Sequence, residues 1–237
     1  MLVAVPSKGR AGETKTMKLL PHATLFVPED EEAAYRAGAR GAVVGVPASV
    51  RGITATRNWI LDHADEERVV MIDDDVRCAG WIRMLPFRSK HHQLNEAEWL
   101  TQFERAFDVC EEMGLAIWGV SSLSAPRAWY PFQPFLFRTY VMGSLVGMFR
   151  SGPRFDESFP VKEDFELCLR LIERDGGVLG LRYLYWETEH WDVPGGCADY
   201  RTQDLEERMT RRLVEKYGRY IRRVERGGSR YSIELEF

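Results

Sequence analysis

Apolar and polar positions alternate along the first half of the chain in blocks of two kinds. Short apolar runs, "LVAVP" (2–6), "ATLFVP" (23–28), "GAVVGVP" (41–47) and "RVVMI" (68–72), are separated by longer polar or amphipathic stretches. Apolar runs of this length, bounded by Gly, Pro and Asp, predict buried strands. Between them "EDEEAAYRAG" (29–38) opens with acids, as helices do. "TATRNWILDHAD" (54–65) places Ile60 and Ala64 four apart, with Thr54 or Thr56 available as its cap. Asn95 and Glu98 form an N-x-x-E capping-box pattern, Trp99, Phe103, Phe107 and Cys110 mark one helical stripe, and Gly114 ends it.

The second half continues the alternation. "LAIWGVSS" (115–122) predicts a strand, and the Pro- and aromatic-rich "LSAPRAWYPFQPFLF" (123–137) a loop over the sheet edge. "YVMGSLVGMFR" (140–150) predicts a long strand broken by Gly143 and Gly147. "EDFELCLRLIERDGG" (163–177) predicts a helix with Phe165, Leu169 and Ile172 on one face, "VLGLRYLYW" (178–186) a last strand, and residues 201–226 a basic helix. The β-α order argues one α/β domain over residues 1–237: a mainly parallel sheet flanked by helices, with a C-terminal basic helical segment at about 201–230.

Bulk properties narrow this picture rather than redirect it. The 237 residues are 45% hydrophobic and 29% charged, with a formal net charge of −4, so no global field favours nucleic acid or an anionic membrane. Cys78, Cys110, Cys168 and Cys197 form no CxxC pair and suit a reducing compartment. The N-terminus has no basic region ahead of its apolar residues, and no run is long enough to span a bilayer, so a cytoplasmic protein is expected. The oligomeric state is not legible.

Chemistry enters at the strand ends, where α/β sheets place their sites. "RVVMI" runs straight into Asp73, Asp74 and Asp75. In an extended segment Asp73 and Asp75 share a face, and two such carboxylates suit Mg²⁺ or Mn²⁺. The residues alone leave a solvated acidic turn equally open. Glu163 and Asp164 at a helix start are accounted for by the helix dipole, unless one points into a cleft as a general base. His190 is a metal-ligand candidate only if the fold brings it to the aspartates. Arg10, in the loop after the first strand, and Arg57, near a helix start, could hold phosphate or lie on the surface. The aromatics Trp129, Tyr130, Phe132, Phe135 and Phe137 suit core packing, or stacking on a sugar or an extruded base.

The order of these motifs resembles the nucleotide-sugar glycosyltransferases of the GT-A fold, over nearly the whole chain. The most specific part is "FDESFPVKEDFELCLRLIERDGG" (155–177). A narrower likeness, carried by "VPSKGRAG", "TRNWILDHA", "VVMIDDDV" and "PGGC", is to the phage TET-associated glycosyltransferases, which are thought to add sugars to hydroxymethylated pyrimidines in DNA. The resemblance implies a divalent metal on Asp75 and His190, with Asp73 near the ribose or metal. It implies Gly143 and Ser144 beside the donor sugar, and Pro6, Ser7, Arg10, Arg57 and Asn58 around the nucleotide of a UDP-sugar. It makes Asp164 the catalytic base with Glu163 beside it, and implies inversion at the anomeric carbon. It also implies a DNA acceptor containing 5-hydroxymethylcytosine.

The competing classes are a glycosyltransferase acting on a glycan, protein or small molecule, a nucleotidyltransferase, whose G-x-G-T-R loop is not found, and a non-catalytic binding module. A DNA acceptor requires a local cationic surface. The sequence offers Arg208, Arg211, Arg212, Lys216, Arg219, Arg222, Arg223 and Arg226, interleaved with Glu206, Glu207, Glu215 and Glu225 that would make the same segment a salt-bridged solvent face.

Overall fold

In the computed structural model, which describes residues 1–85, 88–120, 133–188, 201–224 and 232–236, the four early apolar runs become neighbouring parallel strands. These are β1 (Leu2–Pro6), β2 (Thr24–Pro28), β3 (Val43–Val46) and β4 (Arg68–Ile72). The sheet is completed by β7 (Ile117–Val120), β8 (Phe135–Leu136), β9 (Leu145–Phe149) and β10 (Leu179–Leu181), in the order β3-β2-β1-β4-β9-β7-β10-β8. β9 runs antiparallel between β4 and β7, and β8 antiparallel to β10 at the edge. The carboxyl ends of β1, β4, β7 and β10 therefore lie at one end of the sheet, together with the start of β9.

A near-continuous apolar strand is what burial on both faces requires, and β4 shows why. Val70 and Ile72 face a core closed by α4 (Glu96–Met113), where Trp99, Phe103, Phe107 and Cys110 pack with Trp118. Val69 and Met71 face the opposite core, with Ile60 and Leu61 of α3 (Gly52–His63) and Leu167, Cys168 and Leu171 of α5 (Glu163–Asp175). α4 carries the full capping box between Asn95 and Glu98 and ends on left-handed Gly114, as its pattern predicts. Two short helices, α1 (Thr16–Leu19) and α2 (Glu32–Arg36), fill the early connections.

Gly147 is dictated by packing. It lies opposite Trp118 across β9 and β7, and a Cβ there would meet the indole at 2.1 Å. Gly147→Ala is expected to lower stability by roughly 1–3 kcal/mol, read as a fall in the thermal midpoint. An unchanged midpoint would show that Trp118 yields without cost.

Several elements depart from the sequence expectations. Thr54 and Thr56 do not cap α3; the cap position is Arg51, and Thr54 lies buried inside the helix with its hydroxyl donating to the Phe159 carbonyl at 3.0 Å. The strand expected over 140–150 spans only Leu145–Phe149, leaving Gly143 and Ser144 in the turn that enters it. The expected last strand splits at Arg182 and Tyr183. β10 stays in the main sheet, and β11 (Leu184–Thr188) joins β5 (Val76–Leu85) and β6 (Arg88–Gln93) in a second sheet of order β11-β5-β6, which the sequence pattern did not reveal. The C-terminal helix, α6 (Gln203–Tyr217), is capped by Thr202 and stops short of Arg226. A hairpin of β12 (Ile221–Val224) and β13 (Ser232–Leu235) follows it. Among the described residues no helix is long and apolar enough to cross a membrane. Cys110 and Cys168 are buried free thiols, and Cys197 lies outside the described residues.

Candidate active site

Because β9 is antiparallel, its entry turn lies beside the exit of β4, and the Asp73 amide donates to the Ser144 carbonyl at 3.0 Å. The three aspartates occupy the turn between β4 and β5, and each meets a different environment. Asp74 turns inward under the loop that follows β1, where it accepts from the Ser7 hydroxyl and pairs with Arg10. Ser7 in turn contacts the Tyr35 hydroxyl at 2.8 Å, and the Arg10 amide donates to the same oxygen at 2.9 Å. Pro6, the last residue of β1, is buried behind this knot. Asp73 accepts from Arg57 Nη2 at 3.1 Å.

Asp75 differs from both. Its Oδ1 is buried with no hydrogen-bond partner. Burial first, then the charges of Asp73 and Asp74, push its carboxyl up to about 7. A buried carboxylate oxygen beside two like charges is costly without a cation. The hard oxygen donors of Asp75 and Asp73 therefore fit a divalent ion. Among the described residues no group of three His, Cys, Asp or Glu side chains is arranged to hold a metal. His190, the third expected ligand, lies outside them.

Arg57 organises the other side. Only 3% exposed, it donates from Nη1 to Glu163 and from Nη2 to Asp73 and to the Gly143 carbonyl at 2.9 Å. Its guanidinium is thus engaged with the protein's own carboxylates and the Gly143 turn. Asn58 is also bonded within the protein. Its amide nitrogen donates to the Phe155 carbonyl and to Glu157, and its oxygen accepts from the Phe155 amide, which leaves it holding the loop before α5. Gly143 is required by Arg57, because a Cβ there would lie 2.6 Å from Nη1. Ser144 has a buried hydroxyl without a partner, at the mouth of the same turn.

Across this turn stands the start of α5. Asp164 Oδ2 accepts from the Tyr140 hydroxyl and from the Gly143 amide at 3.0 Å, and Oδ1 from the Phe165 amide at 2.9 Å. Burial and Asp164 hold the Tyr140 phenol well above its ordinary value, so it remains a donor. Burial and Asp164 also push Glu163 up, against the pull of Arg57. No side chain caps α5; its cap residue, Lys162, is the one described non-glycine residue at positive φ, and its ammonium pairs with buried Glu206 of α6 at 3.0 Å. Glu166, fully buried one turn on, accepts from the Tyr217 hydroxyl and Lys216, both at 2.9 Å. α6 thus braces the helix that presents Glu163 and Asp164. Tyr140 and Lys162 were not anticipated, and Glu206, expected on a salt-bridged solvent face, is buried instead; no local pattern marks these roles, because the partners lie 24 to 44 residues away.

Several C-terminal cations oppose acids: Arg219 meets Glu173, Arg222 meets Glu236 at 2.9 Å, and Arg223 meets Glu207 at 2.6 Å. Arg212 donates to the Ser158 carbonyl at 2.9 Å. Of the aromatic loop, Trp129, Tyr130 and Phe132 lie outside the described residues, while Phe135 and Phe137 stand partly exposed at the sheet edge.

A mainly parallel sheet that ends in a three-aspartate turn, faced across a glycine turn by a carboxylate-bearing helix, is the architecture of GT-A glycosyltransferases, and this chain is an enzyme of that class. It belongs to the TET-associated glycosyltransferase family, whose model matches residues 1–196. Over 234 residues it is 26% identical to the beta-glucosyl-HMC-alpha-glucosyl-transferase of Enterobacteria phage T6, covering 90% of this chain and 80% of that protein. The transferase of the same name from Enterobacteria phage T2 is also 26% identical, over 231 residues.

Solved structures share the fold at low identity. Glucosyl-3-phosphoglycerate synthase from Mycobacterium tuberculosis, in complex with Mn²⁺, UDP and its glucosylated product, matches with a TM-score of 0.53 at 13% identity, covering 98% of this chain and 85% of that one. A mannosyltransferase from Pyrobaculum calidifontis, in complex with GDP-Man and Mn²⁺, matches with a TM-score of 0.54 at 16% identity, covering 92% of this chain and 63% of that one, so this chain spans less than two thirds of it.

Proposed function

We propose that the enzyme moves a sugar from a nucleoside-diphosphate sugar, with UDP as the nucleotide, to a 5-hydroxymethylcytosine acceptor in DNA, in a phage-infected bacterial cytoplasm. The observation that carries metal-dependent transfer is the partnerless buried oxygen of Asp75 beside Asp73, opposite Asp164 across the Gly143 turn. The acceptor is supported by the phage relatives, whose names specify HMC carrying a β-glucosyl group.

In this reading Asp75 and Asp73 hold Mn²⁺ or Mg²⁺, with His190 as the further ligand. The ion supplies positive charge for the diphosphate that leaves as the glycosidic bond breaks. Pro6, Ser7 and Arg10 border the nucleotide, and Gly143 and Ser144 the sugar. Asp164 accepts the proton of the acceptor hydroxyl as its oxygen bonds to the anomeric carbon. Tyr140 and the Gly143 amide fix Asp164 in place, and Arg57 holds Glu163 beside it. A single displacement of this kind inverts the anomeric centre.

The test offers the enzyme UDP-sugars and Mn²⁺ with three duplexes, carrying cytosine, 5-hydroxymethylcytosine or its β-glucosylated form, followed by nucleoside mass spectrometry. A sugar is expected on hydroxymethylated DNA, bare or glucosylated, and none on cytosine DNA. Transfer only to a glycan or protein hydroxyl overturns the acceptor. A product that keeps the donor's anomeric configuration overturns single displacement by Asp164.

A further inference from the structure

We infer that Lys162 is a positioning residue for sugar transfer: held by Glu206 of α6, it fixes, through Phe165 and Tyr140, where the Asp164 carboxylate stands. The inference rests on the reading of Asp164 as the base and extends it to the C-terminal segment.

Lys162 sits where it does against three local preferences. Its backbone is left-handed, at φ 62° and ψ 23°, which a lysine adopts only where its surroundings impose it. It brings a positive charge to the N-terminus of α5, where the helix dipole favours acids, and Glu163, Asp164 and Glu166 already supply them. Its side chain is only 7% exposed, although burying an ammonium is costly. Helix formation explains none of these.

Glu206 explains all three. The two charged groups meet at 3.0 Å, both nearly out of solvent, and Arg201 gives Glu206 a second cation. Burial would raise the Glu206 carboxyl, but Lys162 and Arg201 outweigh it and hold the carboxyl below its ordinary value, so the pair stays charged. A buried pair of this kind is favourable only in a narrow geometry, which makes it a stiff link between α6 and the entry of α5.

From Lys162 the contacts run on to the reacting carboxylate. The ammonium lies over the Phe165 ring, 5.4 Å from its centroid. That ring stacks on Tyr140, with centroids 3.8 Å apart and planes 15° from parallel. The Tyr140 hydroxyl then donates to Asp164 Oδ2. The docking of α5 on α6 does not itself need this line. It is secured one turn on, where Glu166 accepts from Lys216 and Tyr217, and by the core in which Leu169 meets Leu213 and Tyr217. Lys162 adds a constraint at the one turn that carries the base.

The experiment measures UDP release from a UDP-sugar with Mn²⁺ and the hydroxymethylcytosine duplex, as kcat and donor KM, beside UDP binding and the thermal midpoint. Lys162→Met with Glu206→Gln removes the pair without leaving either charge buried alone. It is expected to lower kcat by about 10- to 100-fold while donor KM and UDP binding stay within about twofold, because a misplaced base costs turnover rather than donor affinity. Lys162→Arg, which keeps the cation, should retain most of kcat. Lys162→Gly relieves the left-handed backbone but removes the ammonium, and should be as slow as the double variant. Near wild-type turnover there reduces Lys162 to a turn residue and overturns the inference. Should the double variant melt below the assay temperature, Phe165→Leu carries the test, since it leaves the ion pair in place and should lower kcat about tenfold at unchanged KM. In a Tyr140→Phe background the Lys162→Met, Glu206→Gln pair should cost little more, because both act on Asp164 by one route; full additivity overturns that route. Wild-type kcat in the folded variants, or a loss that falls on donor KM instead, overturns the inference and leaves Asp164 as the base. Should Asp164→Asn itself keep most of the turnover, the reading of the base fails and this inference with it.

Discussion

Asp75→Ala is expected to remove sugar transfer while leaving the metal-free fold as stable as the wild type or more so. The two effects have one cause. The Asp75 side chain is partly buried, its shielded Oδ1 has no partner, and Asp73 and Asp74 stand beside it. In the absence of a cation such a group is a liability, and its deletion relieves repulsion at the cost of a small void. In the proposed mechanism the sign reverses with Mn²⁺ and donor present, because the ion would offset the charge that develops on the departing diphosphate, an effect worth several kcal/mol, or roughly 10³-fold in rate. The measurement pairs a transfer assay with thermal melts in chelator, in Mn²⁺, and in Mn²⁺ with UDP. The wild type should gain stability from Mn²⁺ and UDP; the variant should not. A residue that merely closes a turn would behave oppositely, with a lower midpoint in chelator and a retained Mn²⁺ response. Wild-type transfer in chelator would remove the metal from the mechanism altogether.

The parts of this arrangement that could be read from the sequence are those set by neighbours in the chain. β1 to β4 are legible because strands buried on both faces are continuous apolar runs, and α4 because Asn95, Glu98 and Gly114 act within a few residues of one another or of the helix ends they mark. Asp73 and Asp75 could be nominated because they follow the end of an apolar strand, whereas Gly143 and Asp164 could be nominated only through the resemblance to GT-A glycosyltransferases. What they touch was not legible. Arg57 looks like a surface cation in "TATRN", and its burial follows only when Glu163, 106 residues on, arrives at its Nη1. Thr54 has the residue type of a cap, but the Phe159 carbonyl, 105 residues away, sets its place inside the helix. The β5–β6 ribbon escaped because "VRCAGWIRMLPFRSKHHQ" has neither clean alternation nor a Gly-containing turn at its tip. The switch of sheets at Arg182 and Tyr183 escaped because a bend between two apolar strands leaves the apolar pattern intact. The C-terminal segment misled for a related reason. Spacings of three and four suit a helix, but Gly218 and the pairing of Ile221–Val224 with Ser232–Leu235 end it early.

Asp164→Asn should lower transfer by about 10²- to 10⁴-fold, the usual worth of a positioned general base. Binding of UDP with Mn²⁺ should stay near wild type. The substitution keeps the shape of the side chain, so what it changes can be followed atom by atom. With its carbonyl oxygen in the place of Oδ2, the introduced carboxamide would still accept from the Tyr140 hydroxyl and the Gly143 amide. Its amide group would then face the Phe165 amide, a donor against a donor, at a cost of about 1 kcal/mol in stability. The fold therefore survives, and any large loss of rate reports on the missing lone pair. Glu163→Gln is the necessary comparison. It removes the carboxylate that, with Asp73, neutralises Arg57, leaving that buried guanidinium less well compensated. Its expected signature is a larger fall in thermal midpoint with a smaller fall in kcat, because in the proposed mechanism Glu163 holds the site without receiving the proton. Tyr140→Phe should lie between the two, since it frees Asp164 to swing but leaves both its oxygens in place. If Asp164→Asn keeps most of the activity while Glu163→Gln is folded and inactive, the roles are reversed, and Arg57 then holds the base itself.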